Sequence, residues 1–256
     1  MRFKGKLRAY RSVALRPISA ISMLYTHRRT LKYLLAQHKY KTLSNFIFTT
    51  FFIRGEDCGK GILDPIWKLT GWAPFLWDLE IEVTTRCYLK CVMCEHTYWP
   101  DKSYLNRDLP FDTFKEIIDG IPNLKWVNLT GEGSAFLNLD FIKIVSYAKQ
   151  RGIYVDFSHD FAKFRLEDME SVVKLGVERI YWSFDGVTKD TYEKIRVGAN
   201  FPEVCKNVLN LLFVKNMFKS PLPEVCFRFC FFKDNMDEVP LIPSFLYNLV
   251  LGNVKA

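Results

Sequence analysis

Nowhere is this 256-residue chain apolar over the ~20 residues that a membrane-spanning helix requires. Its most apolar stretch, residues 43–53 (Leu-Ser-Asn-Phe-Ile-Phe-Thr-Thr-Phe-Phe-Ile), has 11. A secretory leader is not expected either, because Arg16-Pro17 interrupts the first apolar run and no small-residue cleavage site stands out. Internal repeats and low-complexity tracts are absent, which sets aside solenoids and bulk disorder. Acidic residues are scarce at the start. Residues 1–60 hold thirteen Lys/Arg against Glu56 and Asp57, a balance of +11 when the whole chain carries +8, so the remainder carries −3. The high pI therefore describes the N-terminal segment. Seven cysteines in a chain of this length do not read as a disulfide scaffold.

What is present is a large core and an alternating pattern. Hydrophobic residues make up 49% of the chain and aromatics 16%, enough for one domain plus an extension. From residue 79 onward, strands fit 79–84, 125–130, 153–158, 178–185 and 224–231. Helices fit 111–120, 138–151, 166–175, 188–196, 202–217 and 237–251. Alternation of this kind predicts βαβ units and a parallel sheet. Period-2 patterning gives each strand an apolar face, such as Ile81, Val127, Phe157, Trp182 and Phe227, and a polar one. The polar face carries Glu80, Glu82, Asn128, Asp156, Ser158, Ser183, Asp185, Cys226, Arg228 and Cys230. A sheet polar on its inner side predicts an open chamber for a polar ligand. Arg228, taken as the one basic residue of that face, should pair with Glu80, Glu82 or the ligand.

The chemistry concentrates in Cys87-Tyr88-Leu89-Lys90-Cys91-Val92-Met93-Cys94. Three thiols at C-x3-C-x2-C spacing can turn inward on one soft metal centre. Structural zinc wants four protein ligands, and no fourth stands beside them; His96 or a distant cysteine would have to complete that site. A four-iron cluster on three cysteines keeps one iron open. The triplet follows a strand, and parallel α/β folds place their sites just past strand ends.

The spacing resembles the signature of the radical S-adenosylmethionine (radical SAM) enzymes. Three further segments of residues 79–256 are similar to that family. Asn128 to Asn138 resembles its glycine-rich motif after the second strand. Here Gly131, Glu132 and Gly133 would meet the cofactor, although Ser134 and Ala135 stand where Glu and Pro are usual. Tyr181 to Arg196 resembles the fourth-strand segment of the branch that often carries a SPASM-type cluster domain. Glu224 to Asn235 resembles the fifth strand.

The resemblance implies a partial parallel (β/α) barrel and a 4Fe-4S cluster on Cys87, Cys91 and Cys94. S-adenosylmethionine would be bound by Met93, Gly131, Glu132, Gly133, Ser183, Asp185, Arg196 and Arg228. It also implies an electron donor such as a ferredoxin or flavodoxin, and hydrogen abstraction from an unknown substrate, a peptide or protein among the candidates. Cys226 and Cys230 are read as small residues of the polar face, and Cys58 and Cys205 as plain core or surface thiols.

The domain reading is a basic, mainly helical extension and connector over 1–78, then a core over 79–256 with about five strands. That core looks cut short, because residues 250–256 read as a helix end and the opening of a sixth strand. Residues 43–53 are expected to pack as a helix. The sharper alternative is peripheral contact of residues 1–60 with anionic membranes; nucleic acid is not the expected partner. Reduced thiolates imply a reducing, cytoplasmic compartment. The competing function class is a non-catalytic metal-binding scaffold with a zinc or inert cluster.

Overall fold

The structure, a computed structural model, describes residues 24–50, 76–100 and 102–251. The expectations for Cys58, for most of the 55–78 connector, for the end of the 43–53 run and for residues 252–256 lie outside them. Among the described residues, five strands form one sheet in the order β1-β2-β3-β4-β5. They are β1 Asp78–Glu80, β2 Trp126–Asn128, β3 Tyr154–His159, β4 Arg179–Ser183 and β5 Glu224–Arg228. Each strand neighbours the next in sequence, the winding of a partial parallel (β/α) barrel. The β3–β4 and β4–β5 pairs are parallel, with Ser158 opposite Tyr181 and Ser183 opposite Arg228.

Four strands are shorter than the sequence pattern suggested, and β3 keeps six residues, shifted by one. β1 stops at Glu80, although Ile81 N still donates to Asn128 O at 2.9 Å. Beyond it the chain turns toward a second partner. Thr84 bridges antiparallel to Asp108, its hydroxyl 2.6 Å from Asp108 Oδ1.

Two compact units share the chain. One comprises residues 1–79, 117–127 and 148–154, and the other 80–116, 128–147 and 155–256. In the first, α1 (Arg28–Ala36) and α2 (Tyr40–Ile47) bury Leu34 and Phe46. Phe46 packs on Tyr154, and Asn45 Nδ2 donates to Gly152 O at 2.5 Å. Residues 40–47 are thus a packed helix. No helix among the described residues is long and apolar enough to cross a membrane.

The second unit holds the polar chamber face. Short α3 (Glu95–Tyr98) follows the cysteine triplet. Then come α4 (Phe111–Asp119) and α5 (Phe141–Gln150), whose C-terminal ends lie in the first unit. Helix α6 (Leu166–Leu175) buries Met169, Val172 and Val173, and it ends on Gly176 in the left-handed region. That is the conformation a glycine cap accepts without strain. Helix α7 is Lys189–Ile195, with Thr188 as its N-cap. Helix α8 (Phe201–Met217) is capped by Asn200, whose side chain accepts from Glu203 N at 3.0 Å. It buries Val204, Val208, Leu211 and Val214 along one stripe. The predicted helix 237–251 divides into a 3₁₀ turn, Met236–Leu241, and α9, Ile242–Leu251. Pro240 lies at the break, where it lacks the N–H an α-helix would use.

Candidate functional site

The site is built from loops at the strand ends of the second unit. The cysteine loop leaves Val83–Thr84 and is pinned by its backbone. Lys90 N donates to Val197 O and Val92 N to Ile195 O, each at 2.9 Å, which ties the triplet to the end of α7. The glycine-rich turn after β2 crosses beneath it, and Ser134 N donates to Arg86 O at 2.7 Å. A Cβ on Gly133 would overlap the Thr84 carbonyl, and one on Gly131 would overlap the Glu82 side chain. Gly133 needs to be glycine because backbone occupies the space of a side chain, whereas at Gly131 the obstacle is the Glu82 side chain.

A cavity of about 430 Å³ lies between these loops. Cys87, Cys91, Cys94, Met93, Gly131, Glu132, Gly133, Ser183 and Arg196 all line it, together with Ser134, Ser158, Asp160 and Cys230. The sequence-predicted residues Asp185 and Arg228 do not. Asp185 is fully buried behind Arg196, with its Oδ2 2.5 Å from Arg196 Nη2, and its Oδ1 accepts from Cys230 N at 2.8 Å. The contact is ionic rather than well directed, since neither Asp185 Oδ2 nor Arg196 Nε has a hydrogen-bond partner in good geometry. Arg196 Nη1 reaches Cys91 Sγ at 3.8 Å.

Arg228 stands exposed at the sheet end. It donates to Ser158 Oγ at 3.0 Å and lies 4.1 Å from the centre of the Tyr181 ring. Its expected partners, Glu80 and Glu82, are replaced by these two because β3 and β4 lie nearer in the sheet order than β1. A second arginine shares the polar face. Arg179 pairs with Glu224 at 3.1 Å and reaches Tyr181 Oη. Asn128 and Asp156 sit deeper, joined at 2.6 Å.

The three thiols are held protonated in this state. Burial pushes Cys87 up. It pushes Cys91 to about 11 despite Arg196, and Cys94 to about 12, where the Glu132 carboxylate adds to the effect. Cys94 Sγ donates to Glu132 Oε2 at 2.9 Å. Ligation would replace these protons with metal.

His96, the nearest candidate for a fourth ligand, has its Nε2 2.9 Å from the Thr85 carbonyl oxygen, and Cys205 lies away from the cavity on α8. Among the described residues no three His, Cys, Asp or Glu side chains are gathered closely enough for a single metal ion. Cys87, Cys91 and Cys94 do share the lining of one cavity, and thiolates are soft donors.

Sequence reasoning missed the turn after β3. Asp160 Oδ1 accepts from Tyr88 Oη and from Ala162 N, the latter at 2.7 Å. Phe161 adopts a left-handed backbone there, and its N–H donates to His159 Nδ1 at 3.0 Å. His159 packs among Phe136, Phe161 and Phe164, and burial lowers its pKa, so it stays neutral. Strand periodicity carries no information past the strand end, so Asp160 had no signal beyond its place two residues after Ser158.

No family model matches the chain. It is 26% identical over 175 residues to the tungsten-containing aldehyde ferredoxin oxidoreductase cofactor-modifying protein of Pyrococcus furiosus, covering 67% of this chain and 48% of that protein. It is 32% identical over 140 residues to a probable GTP 3′,8-cyclase of Saccharolobus solfataricus, covering 54% and 44%. The chain thus spans about half the length of the curated relatives it matches. Among solved structures, SuiB of Streptococcus suis superimposes with a TM-score of 0.57 at 14% identity, over 72% of this chain and 40% of that one. SuiB bound to its precursor peptide SuiA gives 0.57 at 12% identity, over 85% and 50%.

Proposed function

We propose that this chain, which has the fold and the sequence relationships of the radical SAM superfamily, is a radical SAM enzyme. Cys87, Cys91 and Cys94 would hold a 4Fe-4S cluster, with S-adenosylmethionine beside it in the same cavity. The observation that carries this reading is the convergence of the triplet, the glycine-rich turn, Ser183 and Arg196 on that cavity. When bound, the cluster would pass one electron from an external donor to S-adenosylmethionine, for cleavage to methionine and a 5′-deoxyadenosyl radical that would abstract hydrogen from a substrate.

The protein's own residues bind, orient and exclude water. Gly131 and Gly133 let backbone approach the ligand closely. Loss of the Cys94 proton on ligation frees Glu132 to accept from a ligand amino group. Ser183 offers a hydroxyl to a carboxylate or ribose. Arg196, held from behind by Asp185, sets a guanidinium beside Cys91, where a thiolate would need it. Met93 supplies an apolar wall.

For the substrate, a peptide or protein is supported by the likeness to SuiB in its complex with SuiA, which spans most of this chain. A ferredoxin or flavodoxin fits the electron donor, and a cytoplasmic setting fits the reduced thiols. Anaerobic reconstitution with iron and sulfide, followed by dithionite and an assay for 5′-deoxyadenosine, tests the reading. Product formation, lost in Cys87→Ala, Cys91→Ala and Cys94→Ala, is the expected result. A chain that takes up metal without forming 5′-deoxyadenosine would favour the scaffold alternative. Peripheral attachment through residues 1–60 rests on their +11 balance. It predicts co-sedimentation with anionic vesicles that salt abolishes.

A further inference from the structure

Asp160 is 8% exposed and lines the cavity. Cys87 and Cys91 line the same cavity, so Asp160 shares its wall with the cysteine triplet. One oxygen, Oδ1, is fixed by Tyr88 Oη and Ala162 N. Both of these donors are uncharged. Arg196 feels Asp160 at longer range, but its close contact is with Asp185. Among the described residues no Lys, Arg or His stands within ion-pair distance of Asp160. The Lys163 ammonium lies over the Tyr88 ring, at 4.6 Å from its centre. A buried carboxylate without a counter-ion is costly, and buried charges are ordinarily paired. Two hydrogen bonds on one oxygen offset only part of that cost and leave the other oxygen free of protein donors.

We propose that Asp160 is a binding residue whose counter-charge comes from the ligand: it selects a cationic occupant of the cavity, the sulfonium form of S-adenosylmethionine, over an uncharged molecule of the same shape. This rests on the reading of the cavity as an S-adenosylmethionine site. Tyr88, inside the cysteine loop, is the positioning residue that aims the carboxylate.

The test compares two ligands that differ by one methyl group and one positive charge, S-adenosylmethionine and S-adenosylhomocysteine. Their affinities are measured by anaerobic equilibrium dialysis on the cluster-reconstituted full chain. Asp160→Asn keeps the shape and removes the charge. It should weaken S-adenosylmethionine by about tenfold and S-adenosylhomocysteine by less than about twofold, so that the preference between them collapses. Tyr88→Phe keeps the charge but releases the carboxylate it aims, and should reduce the preference by less than Asp160→Asn does. Unchanged affinities in Asp160→Asn, or equal losses for both ligands, would overturn the proposal, because equal losses report only a damaged turn. If the unaltered protein binds neither ligand, the family reading itself fails, a result distinct from either of these.

Discussion

Arg196 and Asp185 form a buried ion pair, 2.5 Å apart, with their side chains 11% and 0% exposed. The pair sits behind the cavity wall, and Arg196 alone emerges to meet Cys91. Burial works against the Arg196 charge, and the Asp185 carboxylate together with the weaker attractions of Tyr192, Cys91 and Asp160 more than restores it, so the guanidinium stays protonated at any working pH. Removing one member strands the other's charge. Asp185→Asn is therefore expected to destabilise the protein by about 3 kcal/mol in urea unfolding. Arg196→Lys, which retains charge but loses the planar fork, should lose less stability while still weakening S-adenosylmethionine binding.

Gly133→Ala places a methyl group on the Thr84 carbonyl, which is backbone and cannot step aside. The glycine-rich turn must then leave its hydrogen bond from Ser134 N to Arg86 O. Iron uptake after reconstitution should fall severalfold, while Gly198→Ala, at a site more than 3 Å from its neighbours but with a left-handed backbone, should cost only about 1 kcal/mol of stability. Iron-to-protein ratios and thermal melts read the two effects separately.

The thiol pKa values set a pH window. Cys91 and Cys94 are raised from an ordinary 9.0 to about 11 and about 12, chiefly by burial. A raised pKa on an acid favours the protonated folded form. The contribution to stability is complete below about pH 9 and is lost as pH rises toward 11 and 12. Metal-free protein should accordingly lose stability between pH 9 and 12. Its alkylation by iodoacetamide at pH 8 should be slower than that of a free thiol. Mass-spectrometric mapping of the modified cysteines checks the second outcome.

Glu238 closes the turn that follows β4. Its Oε2 accepts from Val187 N at 2.6 Å, and its Oε1 from Thr188 Oγ1 at 2.5 Å. Burial opposes its charge, but these hydrogen bonds outweigh burial and hold the carboxyl below its ordinary value. Stability from this group is present above the ordinary carboxylate range and fades as pH falls through the depressed folded value. Glu238→Gln should cost about 1.5 kcal/mol at pH 7 and less in acid, measured by unfolding at both pH values.

Local sequence by itself determined the parts of this protein whose physics is local. Alternation along each strand fixed which side chains share a face: Ser158 and Ser183 both line the cavity, while Arg228 reaches Ser158 without lining it. The eight-residue span from Cys87 to Cys94 was enough to bring three thiols to one cavity, because a loop that short cannot carry them apart. The helix expected over 202–217 forms as Phe201–Met217. What the tertiary structure decided were partners far apart in the chain. Asp185 faces Arg196 rather than the ligand, Arg228 finds Ser158 seventy residues away, and Tyr88 meets Asp160 across seventy-two. Each of these depends on strand register and on where a loop is pinned, and neither leaves a periodic trace in the residues concerned. A strand's pattern says which way a side chain points, but only the neighbouring strand or loop determines what it meets there.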